Sequence, residues 1–421
     1  MRAEDQALLT ELFHAAVAAA DPKAALRPHL PARPKGRVIV VGAGKGAAQL
    51  AAAFEDLWGD PVEGVVVTRY GYAAPTRYVR VLEAAHPVPD EAGLEASRAL
   101  MQAVGGLTRD DLVVALICGG GSALLPMPPS GLTLEDERAL NTALLASGAP
   151  IGVMNAIRKH VSGIKGGRLA AAAYPAKVVS LVVSDVPGDD PAQVASGPTV
   201  ASAVTLDETL QTIRNRGIRL PGRIAAYLEG AEPAPLPGDA VFAGHETVVI
   251  ASARLSLEAA AAHAERAGLA AVILSDAIEG EARDVGLVHA GIAREVVTRG
   301  RPFQAPVLIL SGGETTVTLR GKGGRGGRNT EFLLSFAQAI DGVEGISALA
   351  ADTDGIDGSE NNAGAFADHS SAQKMRGAGI DPAAALQAND AWGAFNAIGD
   401  IFAPGPTGTN VNDFRAILIR G

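Results

Sequence analysis

The chain contains one cysteine, Cys118, which excludes an intramolecular disulfide framework and any multi-cysteine metal site. Cys118 closes an aliphatic run, where a small buried apolar residue is expected rather than a reactive thiol. Aromatic residues are also scarce, at 4% of a sequence that is 48% hydrophobic, so the cores must be built from Ala, Val, Leu and Ile. That composition suits helices packed on parallel sheets, whose doubly covered strands read as aliphatic runs. No excess of basic charge exists. The net charge of −10 speaks against general nucleic-acid binding, which draws on surplus Lys and Arg. The stretch Leu112 to Ser130 is uncharged, but GGG and three prolines break it, so no membrane partner is expected. The opening MRAEDQALLT has no basic region leading into an apolar core, so a cytoplasmic location is expected. The G-x-x-x-x-G-K-[ST] pattern is missing, which excludes a P-loop. G-x-S-x-G is missing too, and Ser122 has no His or Asp close by in sequence, so a hydrolase triad is poorly supported.

A chain of 421 residues exceeds what one core usually organises, and two domains are expected. Residues 5–20 have the pattern of an amphipathic helix. RVIVVG (37–42), VEGVVVT (62–68), YVRVLEA (78–84), DLVVALICGGG (111–121) and KVVSLVVSD (177–185) read as strands separated by helical stretches. Such alternation predicts an α/β fold with mostly parallel sheets. AEPAPLPGDA (231–240) interrupts it, placing the domains at 1–235 and 236–421. Beyond it HETVVIAS (245–252), LAAVILSD (269–276), PVLILSGG (306–313) and EGISALAAD (344–352) read as further strands.

Open α/β sheets bind ligands at the carboxyl ends of their strands, and glycine gathers there. Gly42-Ala43-Gly44-Lys45-Gly46, Gly119-Gly120-Gly121-Ser122 and Ser311-Gly312-Gly313-Glu314 each follow a strand. Backbone N–H groups in such turns can approach an anion closely, so three of them suggest a polyanionic ligand, although glycine also serves turns alone. Lys45 inside the first turn, and Lys322, Arg325 and Arg328 in GKGGRGGRN (321–329), add the positive charge that phosphoryl oxygens attract. Gly42, Gly44 and Ala47 also fit the dinucleotide pattern G-x-G-x-x-G/A, which keeps an NADPH-dependent reductase open as the alternative. Phosphoryl transfer needs a divalent ion held by one or two carboxylates. Asp185 ends a strand ahead of Asp189 and Asp190, while Asp352, Asp354 and Asp357 cluster after another; either group could equally cap helices or turns. In RKHVSGIKGGR (158–168), Arg158, Lys159 and Lys165 could orient a small carboxylate or form a solvated helix face.

VGAGKGA (41–47), AAHPVPD (84–90), CGGGSALL (118–125), RKHVSGIKGGRLA (158–170), SDVPGDDPAQVASGPT (184–199), SGGETTV (311–317), GGRNTEF (326–332), DTDGIDG (352–358) and PTGTNVND (406–413) occur in order along the chain. Together they resemble the class II glycerate kinases, whose C-terminal part is the MOFRL domain. The resemblance implies ATP-dependent phosphorylation of D-glycerate to 2-phosphoglycerate with Mg²⁺. It also implies a large Rossmann-like domain and a smaller α/β domain facing it across a cleft. Lys45 would carry the family's essential lysine, and Arg328, with Arg325 as the second choice, its loop arginine. Asn329 joins the phosphate-binding candidates, Ser122 serves phosphate or substrate, Asp185, Asp352 and Asp354 are the metal candidates, and Asp189 is the candidate base. ASARLSL (251–257) departs from similar proteins, which often carry asparagine there. Some family members bear the name hydroxypyruvate reductase, matching the alternative; oligomeric state stays open.

Overall fold

The computed structural model describes residues 1–319 and 324–420. They divide into two compact units, one of residues 22–250 and one of 1–21 with 251–421. Lys322 lies outside the described residues.

In the first unit the aliphatic runs become β1 (Val38–Ala43), β2 (Glu63–Arg69), β3 (Arg80–Ala84), β4 (Leu112–Cys118), β5 (Lys177–Val183) and β6 (Glu246–Ala251). Their order across the sheet is β3-β2-β1-β4-β5-β6. The pairs β3/β2, β2/β1, β1/β4 and β4/β5 are parallel. All seven residues of β4 are buried, as a strand covered on both faces requires. This is the Rossmann order, in which the direction of winding reverses between β1 and β4. In open α/β sheets of this order, the carboxyl ends of those two strands are where ligands bind.

The second unit holds β7 (Ala270–Glu281), β8 (Val307–Thr316), β9 (Ile346–Asp352), β10 (Gly364–Asp368), β11 (Ile401–Phe402) and β12 (Asp413–Ile419), ordered β11-β10-β9-β12-β8-β7. Only β7/β8 is parallel; β8/β12, β12/β9, β9/β10 and β10/β11 are antiparallel. The α/β class is as expected, and the second sheet is mixed rather than mostly parallel.

The expected division at 235/236 needs two corrections. Residues 246–251 form the sixth strand of the first sheet, so the first unit runs to Ile250. The helix Ala3–Ala19 belongs to the second unit. Its Leu9, Leu12, Phe13 and Ala16, spaced as one helical stripe, are buried among Leu257, Ala260, Leu308, Leu349 and Leu418. Each large side chain buried there contributes about 1.5–3 kcal/mol. The stripe shows that the helix has a core face; only folding decides which core receives it.

Candidate active site

The carboxyl ends of β1, β3, β4 and β5 bring several of the expected residues together. After β1 the backbone turns at Gly44, with φ of 135°, a region open to glycine. A Cβ on Gly44 would lie 2.4 Å from both the Cys118 carbonyl oxygen and Sγ, so β1 and β4 meet here without room for a side chain. Lys45 N–H donates to the Gly119 carbonyl (2.9 Å), Gly46 N–H donates to Cys118 Sγ (3.2 Å), and Thr68 Oγ1 donates to the Lys45 carbonyl (3.0 Å). The two glycine turns are thus one interlocked structure. Cys118 is buried within it, and burial pushes its thiol up to about 12, in keeping with an inert packing role.

Gly120, with φ of 79°, N-caps the short helix Gly121–Leu124. A Cβ there would meet Lys45 Cγ at 3.0 Å and His86 Nε2 at 3.2 Å, so both side chains lie over the turn. His86 was not singled out from sequence, although it follows β3 by two residues, where ligand contacts gather. Burial, and then the charges of Lys45 and Arg69, lower its pKa to about 4, leaving a neutral imidazole beside the lysine. The Asp185 carboxylate lies against Gly119, where a Cβ would stand 2.0 Å from Oδ2. Gly42 requires correction: it is inside β1, paired with Val66 and Leu116, and forms part of the sheet rather than a phosphate turn. Asp189 follows β5 in a left-handed turn, φ 55°.

The basic segment separates into distinct roles. Lys165 Nζ donates to Glu137 Oε1 (2.8 Å) in a buried ion pair, and Glu137 also accepts from Met127 N–H, so Lys165 supports the fold. Arg158 gives Nε to Asn141 Oδ1 (2.9 Å) and Nη1 to Asn155 Oδ1 (3.1 Å). Lys159 is different. It is 1% exposed, and its Nζ has no hydrogen-bond partner among the described residues. Burial, against the nearby charge of Asp190, lowers its pKa to about 8.

The second unit corrects the remaining expectations. Gly312, Gly313 and Glu314 lie within β8, not in a turn after it. Gly313, φ 122°, serves the close pairing with β7, where a Cβ would meet the Ile278 carbonyl at 2.2 Å. The helix Arg328–Ala339 has its N-terminus occupied by the Asp357 carboxylate, which accepts from Asn329 N–H and Thr330 N–H (both 2.9 Å). An anion already sits where a phosphate was expected. Burial pushes the Asp357 carboxyl up, against those two amides. Asn329 is fully buried and donates to Asp413 (2.8 Å).

Arg328 donates to Asp413 Oδ1 (2.6 Å), Glu314 Oε1 (2.8 Å) and Asp352 Oδ2 (2.8 Å). Burial works against its charge, and the three carboxylates outweigh burial, raising its pKa. Asp352, pushed up by burial, is committed to this arginine and to the Asp354 amide. Asp354 accepts from Ile356 N–H and Asn410 Nδ2. Arg325 is half-exposed, with its guanidinium 4.3 Å from the Trp392 ring centre and 3.7 Å from Asp390. Of the two arginines, Arg328 is the one enclosed by carboxylates, and Arg325 is the more exposed. Among the described residues no group of three or more His, Cys, Asp or Glu could hold a metal ion, and no helix is long and apolar enough to cross a membrane.

Two family models match the chain: one described as a domain of unknown function, DUF4147, over residues 8–229, and the MOFRL family over 307–413. A protein of Agrobacterium vitis with a provisional hydroxypyruvate reductase name is 55% identical, over 98% of this chain and 94% of its own. The glycerate 2-kinase of Pyrococcus horikoshii is 39% identical over 91% of this chain and 88% of its own. The crystal structure of the Thermotoga maritima glycerate kinase matches with a TM-score of 0.90 at 37% identity, covering 99% of this chain and all of that one. Fold, site and family models define a protein of the DUF4147–MOFRL architecture. The chain belongs to the class II glycerate kinase family.

Proposed function

We propose that this protein transfers the γ-phosphoryl group of ATP to the 2-hydroxyl of D-glycerate, giving 2-phosphoglycerate and ADP. The observation that carries the reading is the placing of Lys45 over Gly120 at the switch point, where a polyphosphate would meet backbone N–H groups and an ammonium together. The glycerate oxygen forms its bond to the γ-phosphorus as the bond to the bridging oxygen of ADP breaks, and the hydroxyl proton leaves to solvent or to Asp189. A loose transition state asks for positioning and charge neutralisation more than for a strong base. Mg²⁺ is commonly held by one or two carboxylates plus phosphate oxygens and water, and Asp185 beside Gly119 has the chemistry to be such a ligand. When bound, the ion would neutralise charge on the phosphates. ATP as donor implies the cytoplasm. Release of ADP from D-glycerate and MgATP, with 2-phosphoglycerate identified by phosphorus NMR, is the expected result. NADPH oxidation with hydroxypyruvate, and no ADP, would overturn it in favour of the reductase that the Agrobacterium vitis name suggests.

With Lys165 and Arg158 committed elsewhere, Lys159 is the cation for the glycerate carboxylate. A buried amine with no partner is costly and gains most from an anionic ligand. It must be protonated to bind, and its lowered pKa is about 8. The expected kcat/KM for D-glycerate therefore falls about tenfold per pH unit above that value. Lys159→Met should raise KM for glycerate and abolish this alkaline fall. A pH profile unchanged in the variant would remove Lys159 from the site.

A further inference from the structure

Ser122 Oγ lies 2.8 Å from Ser196 Oγ, and Ser196 Oγ lies 3.1 Å from Asn155 Oδ1. Arg158 fixes the direction of every proton in this chain. Its Nη1 can only donate, so the Asn155 atom facing it at 3.1 Å must be the carbonyl oxygen; the amide nitrogen then points to Gln193 Oε1 (3.2 Å). Ser196, facing the same Oδ1, must spend its one proton there. Ser196 can therefore only accept from Ser122, which spends its proton in turn.

We infer that Ser122 Oγ acts toward ligand purely as an acceptor, taking a hydrogen bond from an alcohol O–H of the acceptor substrate, and that Ser196, Asn155 and Arg158 impose this polarity. The inference rests on the kinase reading for the identity of that alcohol. It decides between the two parts open to Ser122, because ionised phosphoryl oxygens have no proton to give and would need Ser122 as a donor. Ser122 is half-buried and open to solvent on one side, whereas Ser196 is fully buried. The backbone supports a functional role: Ala195 and Ser196 both occupy the left-handed region, with φ of 52° and 59°. Such conformations in non-glycine residues cost about 1–3 kcal/mol and gather where geometry serves a site. Ala195 packs against Gly121, with a Cβ there 2.6 Å away, so this strained segment is fitted to the glycine turn.

Calorimetric competition provides the test, comparing the affinity of the full-length protein for D-glycerate with that for propionate, which lacks both hydroxyls. Ser122→Ala and Ser196→Ala should each lower the glycerate-to-propionate ratio by about tenfold or more, because a site built around a hydroxyl discriminates through that bond. KM for MgATP should stay within about twofold. Asn155→Leu should match Ser196→Ala, while Asn155→Asp, which still accepts from Ser196 and Arg158, should recover most of the ratio. A loss of MgATP affinity with the ratio intact would overturn the inference, as would equal losses for glycerate and propionate. Wild-type protein that binds D-glycerate selectively yet releases no ADP would overturn the kinase reading and leave the polarity of Ser122 standing.

Discussion

Lys45→Ala should lower turnover by about 10²–10³-fold, the loss seen when one preorganised stabiliser of transition-state charge is removed. The fold should survive. Every bond that ties residue 45 into the interlocked turns is made by its backbone, through the Gly119 carbonyl and Thr68 Oγ1, and alanine keeps all of them. A half-buried side chain in such a position changes stability by about 0.5 kcal/mol or less. Arginine should be a poor replacement, because the lysine stem already lies 3.0 Å from the place a Cβ on Gly120 would take, and a planar fork is bulkier than an ammonium. The variant also carries an internal check. Burial is the main cause of the low pKa of His86 and the charge of Lys45 the second, so His86 should titrate higher in Lys45→Ala. Steady-state kinetics, a melting curve and a proton NMR titration measure all three. Near-normal turnover would remove Lys45 from the chemistry.

Arg328→Ala should produce the largest loss of stability, about 3–5 kcal/mol, because it leaves buried Asp352 without its cation and buried Asp413 with Arg415 alone. Its pH dependence has a definite sign. Asp352 already has a raised folded-state pKa, and loss of the guanidinium, which lowers it, would raise it further. A carboxyl whose folded pKa exceeds its unfolded value costs stability above the unfolded pKa, and the cost grows until the folded pKa is passed. The deficit of Arg328→Ala should thus be larger at pH 8 than at pH 5. Arg325→Ala, at a half-exposed residue resting on Trp392, should lose turnover with little change in melting. Denaturant titrations at both pH values, beside turnover, separate the two arginines. Equal melting of Arg328→Ala and wild type would refute its structural role, and full activity in Arg325→Ala would refute its contact with ligand.

Much of the first unit was legible from local pattern. Aliphatic runs of six or seven residues became parallel strands, because burial on both faces demands such runs. The same logic misled in the second unit. Ser311-Gly312-Gly313-Glu314 looks like a turn after a strand, yet it is strand, because β12 on one side and β7 on the other supply partners that no neighbouring residue reveals. GGRN looks like an anion cradle, yet Asp357, distant in sequence, fills the helix N-terminus.

The amino-acid sequence by itself determined the alternation of elements, the aliphatic cores and the position of Lys45 in its turn, since each follows from composition and short-range spacing. Tertiary structure decided which charges remain available. Lys165 and Lys159 lie six residues apart in one basic segment, and the arrival of Glu137 makes the first a strut while the second has no hydrogen-bond partner among the described residues. Arg325 and Arg328 lie three residues apart, and carboxylates from three strands surround only the second. The reason is physical: an ionic side chain acquires its role from desolvation and from partners within a few ångströms, and both are set by which distant segments fold against it.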